Sequence, residues 1–323
     1  MGTEQATRTE TSSPGPLGAI TRWMENLSEA QFAYFLLTPV FIILAVIAFW
    51  PLLSTFRMSL LTDSLTGASR LGEFVGLTNY VELLTGEKSL VRPFFSLSNP
   101  FQSALTVTLI FTVVSVFFET VIGLGQALVL DQDFRGRRWA RVAIILPWAV
   151  PIVIQGMIFF LMFQPSVGFA SGPLIDAGLF PAQPLIDSSS STIIVIIADV
   201  WKTSAFMALL ILAGLQSVDR SLYDVAKVAG ASKWQQFKMI TLPIILPTVL
   251  VAMLFRTIAA ARIYGLIETV TSCSNVPSLS CLVVETLFSS GQYATAATIA
   301  FVTAALIGIF VSIYIFQYAR EGL

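Results

Sequence analysis

The segment SLYDVAKVAGASKWQQFKMITLPIILP, at Ser221–Pro247, is the longest amphipathic, charge-bearing stretch in the second half of a very apolar chain. Apolar and small residues recur at spacings of three and four over Leu222–Ala229, which predicts a short helix with these residues on one face. Asp219 or Ser221 can cap the start of this helix, and Gly230 can end it, because glycine adopts the left-handed conformation without strain. The pattern therefore predicts a helix that stops at a sharp turn.

A second short helix is predicted for Ser232–Ile240. It runs into Leu242 and Pro243, where a proline fits the first turn of a membrane helix. Two short helices joined at a glycine, with small residues exposed at a membrane surface, are typical of a docking surface for another protein. An ordinary loop between membrane helices is the alternative explanation.

The composition is that of a membrane protein. Only 11% of the 323 residues are charged and 55% are hydrophobic, whereas about a quarter of the residues of a soluble domain are charged. The net charge of −1 argues against a nucleic-acid partner. The absence of histidine excludes His/Cys zinc sites and histidine-dependent catalytic triads, and the absence of G-x-x-x-x-G-K-[ST] excludes a P-loop. We therefore predict no catalytic residues, no metal site and no bound cofactor in this chain.

Six apolar segments are long enough to cross a bilayer core of about 30 Å. Residues 1–31 are predicted to be a mostly disordered tail, because their start is rich in Thr, Ser, Gly and Pro and no apolar run precedes Phe32. The segment FVGLTNYVELL, at Phe74–Leu84, is predicted to be a short surface helix. Residues 32–323 would form a single all-α transmembrane domain. The predicted spans are at about 32–56, 104–130, 140–163, 191–215, 242–264 and 295–318.

The distribution of basic residues predicts the orientation of these spans. With the N-terminus inside, the inside segments are 1–31, 131–141, 216–241 and the tail from 319, and they contain eleven Lys and Arg residues. The outside segments contain four, and the remaining three of the eighteen lie within spans. Both termini are therefore predicted to be cytoplasmic, on the same side as the loop at 216–241.

Charged side chains inside the spans are candidates for a solute pathway, because each costs at least about 2.5 kcal/mol near the bilayer centre on insertion scales. Asp199, Lys202 and Phe206 lie at i, i+3 and i+7 and share one helix face, with Trp201 beside it. Asp199 and Lys202 could simply pair with each other. An aromatic face with polar groups is also what a sugar needs, since its apolar ring face stacks and its hydroxyls form hydrogen bonds. Both explanations fit the sequence.

Two arginines lie in the predicted fifth span. They are Arg256 and Arg262. Arg256 is the better pathway candidate, because Arg262 can reach the outer headgroups. Tyr264 and Glu268 mark the outer end of the same span and are candidates as well. Glu119, in the middle of an apolar span, is predicted to make a structural pair with one of these arginines or with Lys202.

The two cysteines, Cys273 and Cys281, both fall in the last predicted outside segment. An oxidising exterior would permit a disulfide that closes this loop. Two unpaired cysteines are the alternative.

The cytoplasmic loop resembles the E-A-A-x3-G-x9-I-x-L-P motif of the permease subunits of binding-protein-dependent ABC importers. The spacings agree, with three residues between Ala226 and Gly230 and nine between Gly230 and Ile240. Asp224 stands where the family has glutamate, and Ala229 stands where an acidic residue often precedes the glycine, so the polar contact of this loop departs from the family pattern. The matching residues are Asp224-Val225-Ala226, Gly230, Ile240 and Leu242-Pro243.

Four further segments, in the same order as in the family, are similar to its sugar-type branch, the first permease of maltose and glycerol-phosphate systems. They are Phe49–Leu60, Phe74–Tyr80, Leu146–Gly168 and Val200–Val218. The resemblance covers most of the chain after about residue 32. It implies a multi-pass protein of the cell membrane with six transmembrane helices and a cytoplasmic coupling helix between spans four and five.

The resemblance also implies the partners. This chain and a second, similar permease would form, within the lipid bilayer, the path for a carbohydrate that an extracytoplasmic binding protein delivers. Two ATPase subunits would bind ATP and Mg²⁺ and grip the coupling loop, so that their closure moves the spans. A permease of this architecture for an amino acid, peptide or oxyanion is the alternative, and an ion-coupled secondary transporter is a more distant one. The residues implied in ATPase docking are Leu222, Tyr223, Asp224, Ala226, Gly230, Ala231, Ile240, Leu242 and Pro243.

Overall fold

The computed structural model describes residues 27–64 and 70–321. The tail predicted for 1–31 therefore lies almost entirely outside the described residues, and residues 29–31 belong to the first helix. The described residues form two compact units, 27–55 and 56–321.

The first unit contains the greater part of helix α1 (Glu29–Ser59). Ser28 begins this helix with a capping box, in which Ser28 Oγ accepts from the N–H of Gln31 and Gln31 Oε1 accepts from the N–H of Ser28. The helix widens into a π-turn at Ala45–Phe49. This turn comes just before Pro51, whose ring nitrogen has no hydrogen to donate to the preceding turn. The first predicted span is thus a helix of membrane-crossing length.

The second unit starts with the end of α1, followed by a two-stranded antiparallel hairpin and two helices. The strands are β1 (Leu61–Asp63) and β2 (Leu71–Phe74). Helix α2 (Thr78–Thr85) confirms the predicted surface helix, and α3 (Ala104–Asp131) confirms the second predicted span. This short hairpin lies in the connection between the first two spans of an otherwise helical fold.

The third span is broken into α4 (Arg137–Ala149) and α5 (Ile152–Phe163), whose axes are bent by 94°. The third predicted span, at about 140–163, is therefore formed by two helices with a bend between them. Val150 precedes a proline, which disfavours the helical conformation, and it is extended, with φ −70° and ψ 128°. Pro151 cannot donate the N–H that would continue the helix.

Helix α6 (Ser171–Asp176) lies in the next connection, and α7 (Ser188–Gln216) confirms the fourth predicted span. The contact of α7 with α3 is the most extensive between any two helices of the described residues. Gly123 permits the close approach, because a Cβ at this position would lie 2.5 Å from Met207 Cβ. These two helices therefore form the centre of the bundle.

Helix α8 (Arg220–Val228) is the first helix of the predicted cytoplasmic loop. Its N-cap is Asp219, whose Oδ1 accepts the N–H of Ser221 at 2.9 Å. Gly230 follows it with a φ of +79°, a backbone angle that favours glycine. The start and the end of this helix were both predictable from the sequence, and both predictions are confirmed.

Helix α9 (Lys233–Ala260) replaces the second short helix and the fifth span by one continuous element. A π-turn at Phe237–Thr241 joins its two parts without a break. The prediction of a separate short helix is therefore wrong, although Pro243 does lie in the first turn of the α-helical stretch that follows the π-turn. The span predicted as 242–264 also ends four residues early, at Ala260.

Two short helices follow, α10 (Gly265–Val270) and α11 (Leu279–Ser289). Both lie in 265–294, the last predicted outside segment. Leu266 and Leu279 are almost completely buried, and α10 packs on α5. An apolar segment of this kind is too short to cross a bilayer but contributes to the core.

Helix α12 (Tyr293–Glu321) is the last predicted span. The described residues thus contain five helices that are long and apolar enough to cross a membrane, and the bent pair α4–α5 completes six. The largest buried apolar cluster lies where α3, α5, α7 and α10 meet and includes Phe111, Phe159, Ile194 and Ile267.

Candidate functional site

Three charged side chains from three long helices meet inside the bundle, and we name them the ion cluster: Glu119 of α3, Asp199 of α7 and Arg256 of α9. The guanidinium of Arg256 holds both carboxylates. Its Nε donates to Glu119 Oε2 at 2.6 Å, and its Nη2 donates to Glu119 Oε1 at 2.8 Å and to Asp199 Oδ2 at 2.9 Å. The ion cluster therefore links three spans at one point.

The ion cluster is buried. Glu119 is 0% exposed, and Asp199 and Arg256 are each 7% exposed. The hydroxyl of Thr203 adds a hydrogen bond to Glu119 Oε1 at 2.7 Å. The hydrogen bonds between the guanidinium and the two carboxylates offset the desolvation cost of burying these charges, which an isolated charge would bear in full. The predicted structural pairing of Glu119 with an arginine is confirmed.

The same geometry bears on two of the pathway candidates. Asp199 pairs with Arg256 and not with Lys202, so the pairing suggested by the i, i+3 spacing is not the one that forms. Because the donors of Arg256 are directed at carboxylates within the bundle, its contacts are those of a structural residue. A pathway role for Asp199 and Arg256 stays a prediction.

Lys202 is instead placed at the break in the third span. Its Nζ donates to the carbonyl oxygen of Val150 at 2.7 Å. This carbonyl lies at the C-terminal end of α4, where a cation interacts favourably with the helix dipole. Gln155, on α5, donates from Nε2 to the carbonyl oxygen of Ala198 at 2.6 Å. Polar contacts from both sides of the break therefore reach α7.

The two aromatic candidates on α7 lie in different surroundings. Phe206 contacts Trp148, with ring centroids 6.3 Å apart, near the end of α4. Trp201 contacts Phe159 at 5.8 Å and lines an apolar groove that includes Phe118 of α3. Trp201 therefore belongs to an apolar surface, and the expected common face of aromatic and polar groups is only partly formed.

Tyr264 and Glu268 do not mark the outer end of the fifth span, because that helix ends at Ala260. Tyr264 is the N-cap residue of α10 and packs against the buried apolar cluster. Glu268 lies in the first turn of α10, and its Oε2 accepts the N–H of Cys273 at 3.2 Å. In 27–64 and 70–321, no hydrogen bond or ion pair connects either residue with the ion cluster.

Cys273 and Cys281 form a disulfide, with their Cα atoms 5.5 Å apart. It joins the segment after α10 to α11, and both residues are buried. The possibility left open by the sequence is thereby resolved in favour of the bond.

The predicted coupling loop is tied to two of the long helices. Arg220 Nη2 donates to Asp131 Oδ1 at 2.8 Å, at the end of α3. Tyr223 and Thr241 share a hydrogen bond of 2.9 Å between their hydroxyls, at the π-turn of α9. The hydrogen bond and charge of Asp131 raise the pKa of Arg220, and the hydrogen bond from the N–H of Ser221 lowers the pKa of Asp219.

The residues implied in ATPase docking fall into two groups on this loop. Leu222, Asp224, Gly230 and Pro243 are exposed. The half-buried group consists of Tyr223, Ala226, Ala231, Ile240 and Leu242. Asp224, which stands in place of the family's glutamate, pairs with Lys227 at 3.0 Å on the same helix. The structure therefore leaves the carboxylate of Asp224 on the surface, within reach of a partner.

Sequence reasoning did not single out Thr203 or Gln155. Thr203 stands one turn after Asp199, so its helical spacing could have placed it near the ion cluster. Gln155 is a lone amide in a strongly apolar helix, which is a signal of a buried polar contact. In the described part of the chain, no group of three or more His, Cys, Asp and Glu side chains is placed to hold a metal ion.

Residues 119–321 match the family described as "Binding-protein-dependent transport system inner membrane component". The trehalose/maltose transport system permease of Thermococcus litoralis is 34% identical over 290 residues, which cover 89% of this chain and 93% of that protein. The trehalose transport system permease of Mycobacterium tuberculosis is 33% identical over 269 residues, covering 83% and 82%. The sulfoquinovosyl glycerol transport system permease of Agrobacterium fabrum is 32% identical over 247 residues, covering 76% and 75%.

Solved structures share the fold. A chain of a bacterial ABC transporter involved in the import of alginate superposes with a TM-score of 0.72 at 21% identity, covering 93% of this chain and 99% of that chain. A chain of the bacterial alginate transporter in complex with a pentasaccharide-bound periplasmic protein gives a TM-score of 0.73 at 21% identity, covering 93% and 98%. With the family match over most of the bundle, the chain belongs to the inner membrane components of binding-protein-dependent transport systems and is a multi-pass permease.

Proposed function

We propose that this chain is the permease subunit of an ATP-driven importer and forms, with a second permease, the path for a carbohydrate delivered by an extracytoplasmic binding protein. The observation that carries the proposal is the 34% identity, over 89% of the chain, to a permease named for trehalose and maltose transport. Two further relatives are named for transport of trehalose and of a sugar derivative. Family membership removes the ion-coupled secondary transporter as an alternative.

ATP hydrolysis is assigned to two partner ATPase subunits, which would hold ATP and Mg²⁺, while this chain is non-catalytic. Support comes from the surface of the loop at 216–241, where Leu222 and Val225 are apolar and exposed next to the charged Asp224. An exposed mixture of this kind suits docking of a partner protein. We assign the coupling role to α8, with both termini and this loop in the cytoplasm.

The contacts of α8 give the coupling a physical route. Arg220 ties α8 to the end of α3, and Tyr223 ties it to α9. These two helices carry Glu119 and Arg256, which pair with each other in the ion cluster. A displacement of α8 would therefore move α3 and α9 together. Such a set of rigid, linked elements can move as a body between two states.

The break in the third span is our proposed position for contact with the solute. Broken helices supply free backbone groups and helix ends within a membrane, and transporters use them to bind solutes. Lys202 and the carbonyl of Val150 provide a donor and an acceptor there, with the rings of Phe206 and Trp148 close to the same position. This combination can bond hydroxyls and stack against a sugar ring.

The experiment is reconstitution of the full transporter in proteoliposomes with the second permease, both ATPases and the binding protein. We expect trehalose or another disaccharide to stimulate ATP hydrolysis and to accumulate in the vesicles, whereas amino acids and oxyanions do neither. Failure of every sugar, with stimulation by another solute class, would overturn the carbohydrate assignment.

The Lys202→Met variant tests the proposed contact position. We expect it to raise the solute concentration needed for half-maximal uptake by about tenfold, the effect of losing one hydrogen bond to a charged group. Arg262→Met is the matched control, because Arg262 is exposed just beyond the end of α9 and its Nε donates to the carbonyl of Ile258 in the last turn of that helix. Unchanged uptake by Lys202→Met would place Lys202 outside the pathway.

A further inference from the structure

Helix α2 presents an apolar stripe to its surroundings. Leu77, Val81 and Leu84 lie at i, i+4 and i+7 and therefore share one helix face. Phe74, at the end of β2, lies three residues before Leu77. These four side chains are between 56% and 71% exposed. A contiguous exposed apolar patch marks a contact with a protein, a ligand or a membrane.

The opposite face of α2 is fully occupied. Leu83 and Asn79 are buried there. Lys88 folds back so that its Nζ donates to Asn79 Oδ1 at 2.7 Å and to Glu82 Oε2 at 3.0 Å. The contacts of the buried face therefore fix the rotation of α2, and the apolar stripe cannot turn toward the interior of the protein.

The position of α2 relative to the membrane follows from its contacts with the end of α1. Asn79 Nδ2 donates to the carbonyl of Ser59 at 2.9 Å and to that of Leu61 at 2.6 Å, and the hydroxyl of Tyr80 shares a hydrogen bond of 2.7 Å with Ser59 Oγ. Ser59 is the last residue of a membrane-crossing helix. The first turn of α2 is thus bonded to the level at which the chain leaves the bilayer.

Two other features mark the same level. Arg57, in the last turn of α1, is exposed and is of the kind of residue that anchors a span at the headgroups. At the start of α12, the hydroxyl of Thr298 donates to the carbonyl of Ser59 at 3.3 Å. The carboxylate of Asp63 also accepts the N–H of Ala294 at 2.7 Å. Helix α2 therefore lies beside the ends of two spans.

We propose that α2 is an interfacial anchor, lying in the headgroup region of the outer leaflet with Phe74, Leu77, Val81 and Leu84 among the lipids. An amphipathic helix in the interface buries its apolar face at the boundary between headgroups and acyl chains. The lipid surface is the occupant we assign, because the stripe is bonded to the end of a span and is therefore continuous with the surface that the bilayer already covers. The proposal needs the chain to span the membrane with the predicted orientation and is independent of which solute it carries.

The test uses single cysteines in the full transporter in liposomes. The native Cys273 and Cys281 are bonded to each other, so the introduced thiol is the one available in this chain. Nitroxide labels on Val81→Cys and Leu84→Cys report collisions with oxygen, which is enriched in lipid, and with a water-soluble nickel chelate. Glu87→Cys is the matched control, because Glu87 is exposed just beyond the same helix.

We expect nickel collisions to be several-fold less frequent at positions 81 and 84 than at 87, and oxygen collisions to be more frequent. Equal access of the nickel chelate at all three positions would overturn the proposal. Protection that arises only when the binding protein is added would also overturn it and would assign the stripe to protein docking. As a second measurement, an environment-sensitive fluorophore on Leu77→Cys should emit at shorter wavelength than one at 87, without any binding protein.

Discussion

Glu119, Asp199 and Arg256 place a formal charge of −1 inside the bundle, since two carboxylates share one guanidinium. Burial of charges costs several kcal/mol for each ion, and hydrogen-bonded partners offset this cost only while all of them are present. Removal of one member therefore lowers the stability of the protein by more than the loss of one contact would. This asymmetry separates a structural role from a role in solute binding.

We predict that Arg256→Met destabilises the protein by about 3–5 kcal/mol, because it leaves two buried carboxylates without their partner, and that Glu119→Gln costs less, because Arg256 keeps its bond to Asp199. The Glu119→Gln/Arg256→Met double variant should lose less stability than the sum of the two single variants, because the glutamine removes one of the two carboxylates that Arg256→Met leaves unpaired. Thermal unfolding of the purified protein in detergent measures all three. Additive losses would show that the two residues are not coupled. A pure change in solute affinity, with unaltered unfolding, would instead support the pathway role of Arg256.

Asp187, which lies outside the membrane-spanning segments, should make the stability of the protein depend on pH. Its Oδ2 caps α7 by accepting hydrogen bonds from the hydroxyl of Ser189 at 2.6 Å and from the N–H of Ser190 at 2.9 Å, and these bonds lower the pKa of Asp187. Because the folded-state pKa is lowered, the stabilisation is present above the unfolded-state pKa and is lost as pH falls through the folded-state pKa.

We expect Asp187→Ala to cost about 1 kcal/mol at neutral pH, the usual effect of removing an N-cap. The difference from the unsubstituted protein should shrink as the pH falls through the folded-state pKa of Asp187. Asp187→Asn is the control, since asparagine also caps helices but does not titrate in this range. The measurement is thermal unfolding in detergent across the acidic range. A cost that does not change with pH would refute the assigned role of the charge.

The sequence predicted a basic partner for Glu119 but did not predict the pairing of Asp199 with Arg256. The i, i+3 spacing of Asp199 and Lys202 suggested a local pair, whereas Asp199 meets Arg256, 57 positions along the chain. Lys202 is drawn to the carbonyl of Val150, a group that becomes free only because the third span breaks. Long-range packing decides such pairings, and helical periodicity does not contain that information.

At the scale of elements, α8 and its glycine were predictable because their signals are local. An N-cap, a periodic face and a glycine at the end together specify a short helix. The break at Val150 and Pro151 was equally local in origin, yet the apolar run on both sides concealed it. The π-turn at Phe237–Thr241 has no sequence signal that we recognise, and it fused two elements that the pattern had separated.

Gly230 gives a prediction at this scale. Its φ of +79° disfavours any side chain by about 1 kcal/mol, while a Cβ there would meet no atom within 4 Å. We expect Gly230→Ala to leave membrane insertion intact and to lower ATP hydrolysis stimulated by the binding protein, because the turn after α8 is distorted where the ATPase docks.

Gly178→Ala is the matched control for Gly230→Ala. Gly178 has a φ of +69° and similarly open space around a Cβ, but it lies between α6 and α7, far along the chain from the loop. It should show a similar loss of stability and normal coupling. Equal loss of ATP hydrolysis in both variants would mean that backbone strain alone is responsible and that the turn at Gly230 has no docking role.

At the scale of the molecule, the orientation rests on the asymmetry of eleven basic residues in the inside segments against four in the outside segments. A membrane protein inserts so that connections rich in Lys and Arg stay in the cytoplasm. Trp234, on the coupling loop, and Leu179, in the connection before α7, are both well exposed and fall on opposite sides in this arrangement. We predict that a membrane-impermeant maleimide labels Leu179→Cys in intact cells and labels Trp234→Cys only after the membrane is opened. The bonded pair Cys273 and Cys281 supplies no competing thiol, and the reverse pattern of labelling would place α8 outside, where no ATPase could reach it.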